Sequence, residues 1–150
     1  MRPQGVAVVT VVVALSSLSF SACGTVSASV ALKKWAASAN VVRNDTQLAT
    51  DARHALTVLH DARSTTGQLR TVCAILDYES LQAYASLPTP DDQTTQLLTT
   101  AYTQLGDGAN ECYAAASSTL KRTRAVSYLL QAGAAFSEAQ ARMNVLGVVT

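Results

Sequence analysis

The side chains able to carry chemistry are few and scattered. His54 and His60 stand six apart, which on a helix puts them on different faces, so neither His-x-x-x-His nor Glu-x-x-His metal spacing is present. Asp51 and Asp61 lie near them, but Arg53 and Arg63 make surface ion pairing the simpler expectation than a mixed metal cluster. Asp77 and Glu79 are two apart and so diverge on a helix, while Glu111 and Glu138 are isolated, which leaves no carboxylate pair for acid–base work. Serines abound, yet none sits in a Gly-x-Ser-x-Gly setting, and there is neither a phosphate-binding glycine loop nor a Cys-x-x-Cys-His haem motif. No catalytic residue, no metal and no cofactor are expected. The one dense basic cluster, Lys121-Arg122-Thr123-Arg124, reads either as a contact for lipid phosphates or an acidic partner or, more simply, as the solvated start of a helix. With a formal net charge of +1, no nucleic-acid-binding surface is expected. Tyr78, Tyr84, Tyr102, Tyr113 and Tyr128 either line a ligand cleft or belong to the core with their hydroxyls at its edge.

Three cysteines remain, and the start of the chain sorts them. Met1-Arg2 precedes a run from Val6 to Leu18 of apolar residues and small hydroxyls. That is the length of a signal-peptide core, short of the ~20 residues that span a bilayer. The Phe20-Ser21-Ala22-Cys23 that follows resembles the lipobox of bacterial lipoproteins, with Phe20 where leucine is usual. The resemblance implies removal of residues 1–22 and acylation of Cys23 with palmitate-type chains, which would hold the protein on the extracytoplasmic face of the cell membrane. Cleavage near Ser27-Ala28 to give a secreted protein, or an uncleaved anchor, are the alternatives. Once Cys23 carries lipid, Cys73 and Cys112 are left as partners for each other, and an oxidising compartment favours a disulfide between them over two buried thiols.

Residues 23–29 form the lipidated cysteine and a short tether that reaches only ~20 Å when extended. Lys33, Lys34 and Trp35 follow directly, as membrane-surface contacts or, for Trp35, as an anchor of the first helix. Residues 30–150 are expected to form one domain. Without Arg2 the remainder carries ten basic and ten acidic side chains, and it is rich in alanine, threonine, serine and leucine. This composition favours closely packed helices.

A first helix is predicted over about Ser29–Val42, then a second capped by Asn44 or Asp45 and carrying Leu48, Ala52, Ala55, Leu56, Leu59 and Ala62. Ser64-Thr65-Thr66-Gly67 interrupts before a third with Leu69, Val72, Cys73, Leu76, Ala83 and Tyr84. Leu87-Pro88-Thr89-Pro90 ends it, since two prolines so close cannot both lie inside a helix. Thr89 is the expected cap and Pro90 the first residue of a fourth helix carrying Leu98, Ala101, Tyr102, Leu105, Ala109, Cys112 and Ala116, with a bend expected at Gly106-Asp107-Gly108. The last starts near Ser118 and turns Val126, Leu129, Gly133, Phe136, Gln140 and Met143 to one face, widened by Leu130 and Ala132. The fold expected is all-α: an antiparallel bundle of four helices, or five if the first is composite. In it a Cys73–Cys112 bond demands an axial stagger of ~12 Å across the proline turn, shared between that turn and the bend.

With Cys23, the Trp35 helix, Cys73, the Pro88-Thr89-Pro90 turn and Cys112-Tyr113 in view, the layout is similar to a group of small alanine-rich actinobacterial lipoproteins, which are secreted, helical and without assigned activity. The resemblance implies the address and the bundle, and no catalytic role. The function expected is that of a membrane-anchored, non-enzymatic module that docks on another envelope protein. The alternative is a bundle that binds a small apolar ligand or lipid between its helices.

Overall fold

The computed structural model describes residues 27–148. The readings made for residues 1–22 and for Cys23 lie outside the described residues. Five α-helices follow one another: α1 (Ala28–Ser38), α2 (Val41–His60), α3 (Thr66–Tyr84), α4 (Asp92–Ala114) and α5 (Thr119–Val145), with a single 3-10 turn at Ala115–Ser117. No strand occurs among the described residues, and none of their helices is long and apolar enough to cross a membrane. α2 to α5 form the antiparallel bundle, while α1 closes one end through a small core of Leu32, Ala36, Val41, Met143 and Val148.

The first break differs from the one read in sequence. α1 stops at Ser38, and Asn40 takes a left-handed conformation with φ 50°, which asparagine tolerates better than most residues. α2 therefore begins at Val41, and Asn44 and Asp45 are not its caps. Asn44 instead turns its amide back to the Ala39 carbonyl at 3.0 Å, and Asp45 is buried.

α3 begins on a reciprocal cap in which the Thr65 hydroxyl accepts the Gln68 N–H and the Gln68 side chain accepts the Thr65 N–H. α4 is capped two residues later than expected. Asp91, not Thr89, accepts the Thr94 N–H, at 2.9 Å, because the Thr89 hydroxyl is engaged with the Asp91 backbone. α5 starts where expected, at Thr119, with Ser118 as its cap.

Cys73 and Cys112 are bonded, with Cα atoms 5.7 Å apart and both side chains fully buried between α3 and α4. Eleven residues separate Cys73 from the end of α3, whereas twenty separate the start of α4 from Cys112. The difference amounts to ~13 Å of helix. α4 is one helix through Gly106 and Gly108, with no restart there. The segment 85–91 that joins α3 to α4 is held at both ends. The Trp35 indole donates to the Ser86 carbonyl at 3.0 Å, and Arg142 of α5 grips the Asp91 carboxylate with two nitrogens, at 2.8 and 3.1 Å.

Gly108 serves close approach. A Cβ there would stand 2.8 Å from Leu129 of α5, so the absent side chain lets the two helices meet. The face that α5 buries is correspondingly rotated from the one expected. Ala125, Leu129, Ala132, Ala135, Ala139 and Met143 are buried, while Gly133 and Leu130 face outward.

Candidate functional site

α4 and α5 share the most extensive contact in the bundle, whereas α2 touches α5 only sparsely. α5 sets Leu129 on Gly108 of α4 and Phe136 against Tyr102 of α4, and the same two side chains also line the space toward α2. A cleft of about 500 Å³ is left between α2 and α5. Leu48, Ala52 and Leu56 line one wall, Leu129 and Phe136 the other, and Leu105 of α4 reaches it from behind. Leu48, Leu105 and Leu129 are core residues, so the cleft opens directly onto the hydrophobic interior. Gly133 stands on its rim with nothing within 4 Å of where a Cβ would be. Arg53 is the one ionisable side chain of the lining.

This apolar space does not lie behind the disulfide. Cys73 and Cys112 are sealed between α3 and α4, and neither lines the cleft between α2 and α5. A wider basin of about 640 Å³ lies at the α1 end, bounded by Ala36, Ala37, Val148, Lys33 and Arg43. It is the more exposed of the two, and of the bundle's main core leucines none lines it.

The other side of α2 is polar. Asp45 is 5 % exposed and accepts the Tyr102 hydroxyl at 3.2 Å through Oδ1. Burial pushes its carboxyl up to about 6, against the opposing effect of the Tyr102 hydrogen bond. Six residues further along α2, Asp51 faces Glu79 of α3, and burial together with that neighbouring carboxylate pushes Glu79 up to about 7. Asp51 is itself held by Gln47, whose amide donates at 2.6 Å. Sequence reasoning missed both carboxyls. Glu79 was weighed only against Asp77 on its own helix, and Asp45 only as a cap.

Other sequence candidates have structural employment. Lys121 and Arg124 pair with Glu111, at 3.0 and 3.9 Å, and Arg122 donates to the Leu59 carbonyl at the end of α2. The basic cluster thus ties α5 to α4 and α2. Asp91 bonds Arg142, whose guanidinium holds the carboxyl far below the usual range. His54 and His60 are exposed, and His60 bonds the Leu56 carbonyl one turn back. No group of three or more metal-ligating side chains is found among the described residues. The tyrosines do not share a cleft: Tyr102 is buried against Phe136, Tyr113 stacks under Arg70, and Tyr78 and Tyr84 are exposed on α3. Lys33 and Lys34 are exposed on α1, while Trp35 is half-buried with its N–H directed inward to Ser86. Comparison with known proteins finds no matching family model, no matching curated protein and no matching solved structure.

Proposed function

We propose that this chain is an exported, membrane-tethered, non-enzymatic binding protein whose α2–α5 cleft takes a small apolar ligand or lipid. The observation that carries the reading is the cleft itself: leucine-lined, open to the core, and with Arg53 as its one charged wall residue. An acyl chain bearing an anionic head suits that combination, with the chain against Leu48, Leu56 and Leu129 and the head at Arg53. The export part rests on the signal-like start, and the buried disulfide agrees with an oxidising compartment. The non-enzymatic part is supported by the occupations of Asp91, Glu111 and Arg122, whose charges are all engaged in holding helices together.

Titration with laurate, followed by the amide signals of α2 and α5, tests the binding. Saturable shifts confined to those helices are expected, abolished by Gly133→Leu, which fills the cleft from a position where a side chain meets nothing. Absence of saturation, or binding unchanged in Gly133→Leu, would contradict it. The tether is tested separately: Cys23→Ala should release the protein from the membrane fraction, and retention there would overturn that half.

A second reading has its own observation. Ile75, Tyr78, Leu81 and Tyr84 are exposed apolar side chains along α3, with Tyr78 and Leu81 more than 60 % open. Such a stripe fits docking on another envelope protein, as the module reading expects. A crosslinker placed at Leu81 should then capture a discrete partner in intact cells, and capture of none would remove this reading.

A further inference from the structure

The α2–α3 seam carries two adjoining cavities that share Asn44, Gln82 and Ala83. One, of about 270 Å³, has Asp45 and Tyr102 in its lining and Val41, Ala39 and Ala85 as apolar walls. The other, of about 300 Å³, is lined by Glu79, Gln47, Leu48 and Tyr78. Neither lining contains a lysine, arginine or histidine. Asp45 Oδ2 is buried and meets no hydrogen-bond donor, and Glu79 Oε2 is in the same position. Gln82, common to both cavities, is one helical turn from Glu79.

Buried acceptors without donors are costly, and a seam that collects two of them while excluding cations from its walls is complementary to a donor brought from outside. We propose that this groove binds a small aliphatic diamine, one ammonium on Asp45 Oδ2 and the other on Glu79 Oε2, with the methylene stem over Ala83. Both carboxyls hold their protons more firmly than exposed ones do, so an arriving dication displaces protons and binds more tightly as pH rises from 5 to 8. The groups facing the site are Asp45 and Asp51 from α2, Glu79 and Tyr78 from α3 and Tyr102 from α4. This inference is independent of the α2–α5 cleft.

Putrescine is the test probe, with butylamine, butanol and magnesium chloride as controls, on the folded disulfide-bonded chain. The proposal expects saturable amide shifts along the α2–α3 seam with putrescine at pH 8, at least tenfold weaker binding of butylamine, and release of protons on binding. Asp45→Asn, which keeps an oxygen for Tyr102, and Glu79→Gln should each weaken putrescine at least tenfold while leaving far-ultraviolet circular dichroism unchanged. Absence of saturation, equal effects of butanol or magnesium, or undiminished binding in Asp45→Asn/Glu79→Gln would overturn it.

Discussion

The α4–α5 seam and the two seams of α2 are built from the same few residue types and reach opposite results. Between α4 and α5, alanines and Gly108 bring the helices into close contact, and Arg142 clamps Asp91 across one end. The disulfide then fixes α3 to α4. α2 is joined to this frame by Leu48, Ala55 and Leu59, by the Asp45–Tyr102 hydrogen bond and by Arg122 on its last turn. On one flank it leaves an apolar cleft, and on the other an acidic groove. At the tight seam the missing side chain of Gly108 makes room for Leu129, whereas α2 leaves space beside Leu129 and Phe136 unfilled. α3, α4 and α5 form a locked frame, and α2 stands beside it with a cleft on each flank.

Breaking the lock has the largest expected effect. Cys73→Ala/Cys112→Ala opens a loop of 39 residues and should cost about 3–4 kcal/mol in denaturant unfolding. Equal stability of oxidised and double-variant protein would show that the frame does not depend on the bond. The next effect is on pH dependence and comes from the α2–α3 side. Asp45 and Glu79 bind protons more tightly folded than unfolded, so stability should fall as pH rises between about 4 and 7, when those carboxyls ionise in place. Asp91 acts in the opposite sense, because its carboxyl is held low by Arg142: its contribution is present above about pH 4 and is lost below it. The melting temperature should therefore be highest near pH 4 to 5, and Asp45→Asn should flatten the descent toward pH 7. A melting temperature that climbs from pH 5 to 7 would reverse the assignment.

Two glycine substitutions sharpen the contrast between the seams. Gly108→Ala should destabilise by about 1–3 kcal/mol, because its Cβ would push into Leu129 despite the better helix propensity of alanine. Gly133→Ala, on the open rim of the α2–α5 cleft, should stabilise by up to about 1 kcal/mol. Thermal unfolding of both distinguishes a tight seam from an open one, and the same sign for both would erase the distinction.

Much of the frame was legible in the sequence. The proline pair, the Ser64-Thr65-Thr66-Gly67 interruption and the three-four pattern from Leu98 to Cys112 act locally, and they place α3 and α4 almost as found. The break at Asn40 was not legible, because neither glycine nor proline marks it and the left-handed turn depends on how α1 folds over the end of the bundle. At Gly106-Asp107-Gly108 helix propensity is a local signal only, whereas the close approach of Gly108 to Leu129, twenty-one residues away, is not written in the local sequence. The α5 face was rotated for a related reason: pattern reading gives weight to Phe136 and Leu130, and close packing selects Ala132, Ala135 and Ala139. The two clefts were hidden more deeply, since Asp45 meets Tyr102 across 57 positions and the apolar cleft is set by what α2 and α5 fail to fill.

Native-state hydrogen exchange with and without laurate is the most direct measurement. If α2 is the loosely seamed helix over a binding cleft, amides from Leu48 to Leu59 should open at a lower free energy than those of α4 and α5, and laurate should protect them. Exchange of α2 together with α4 and α5, unaltered by laurate, would contradict it.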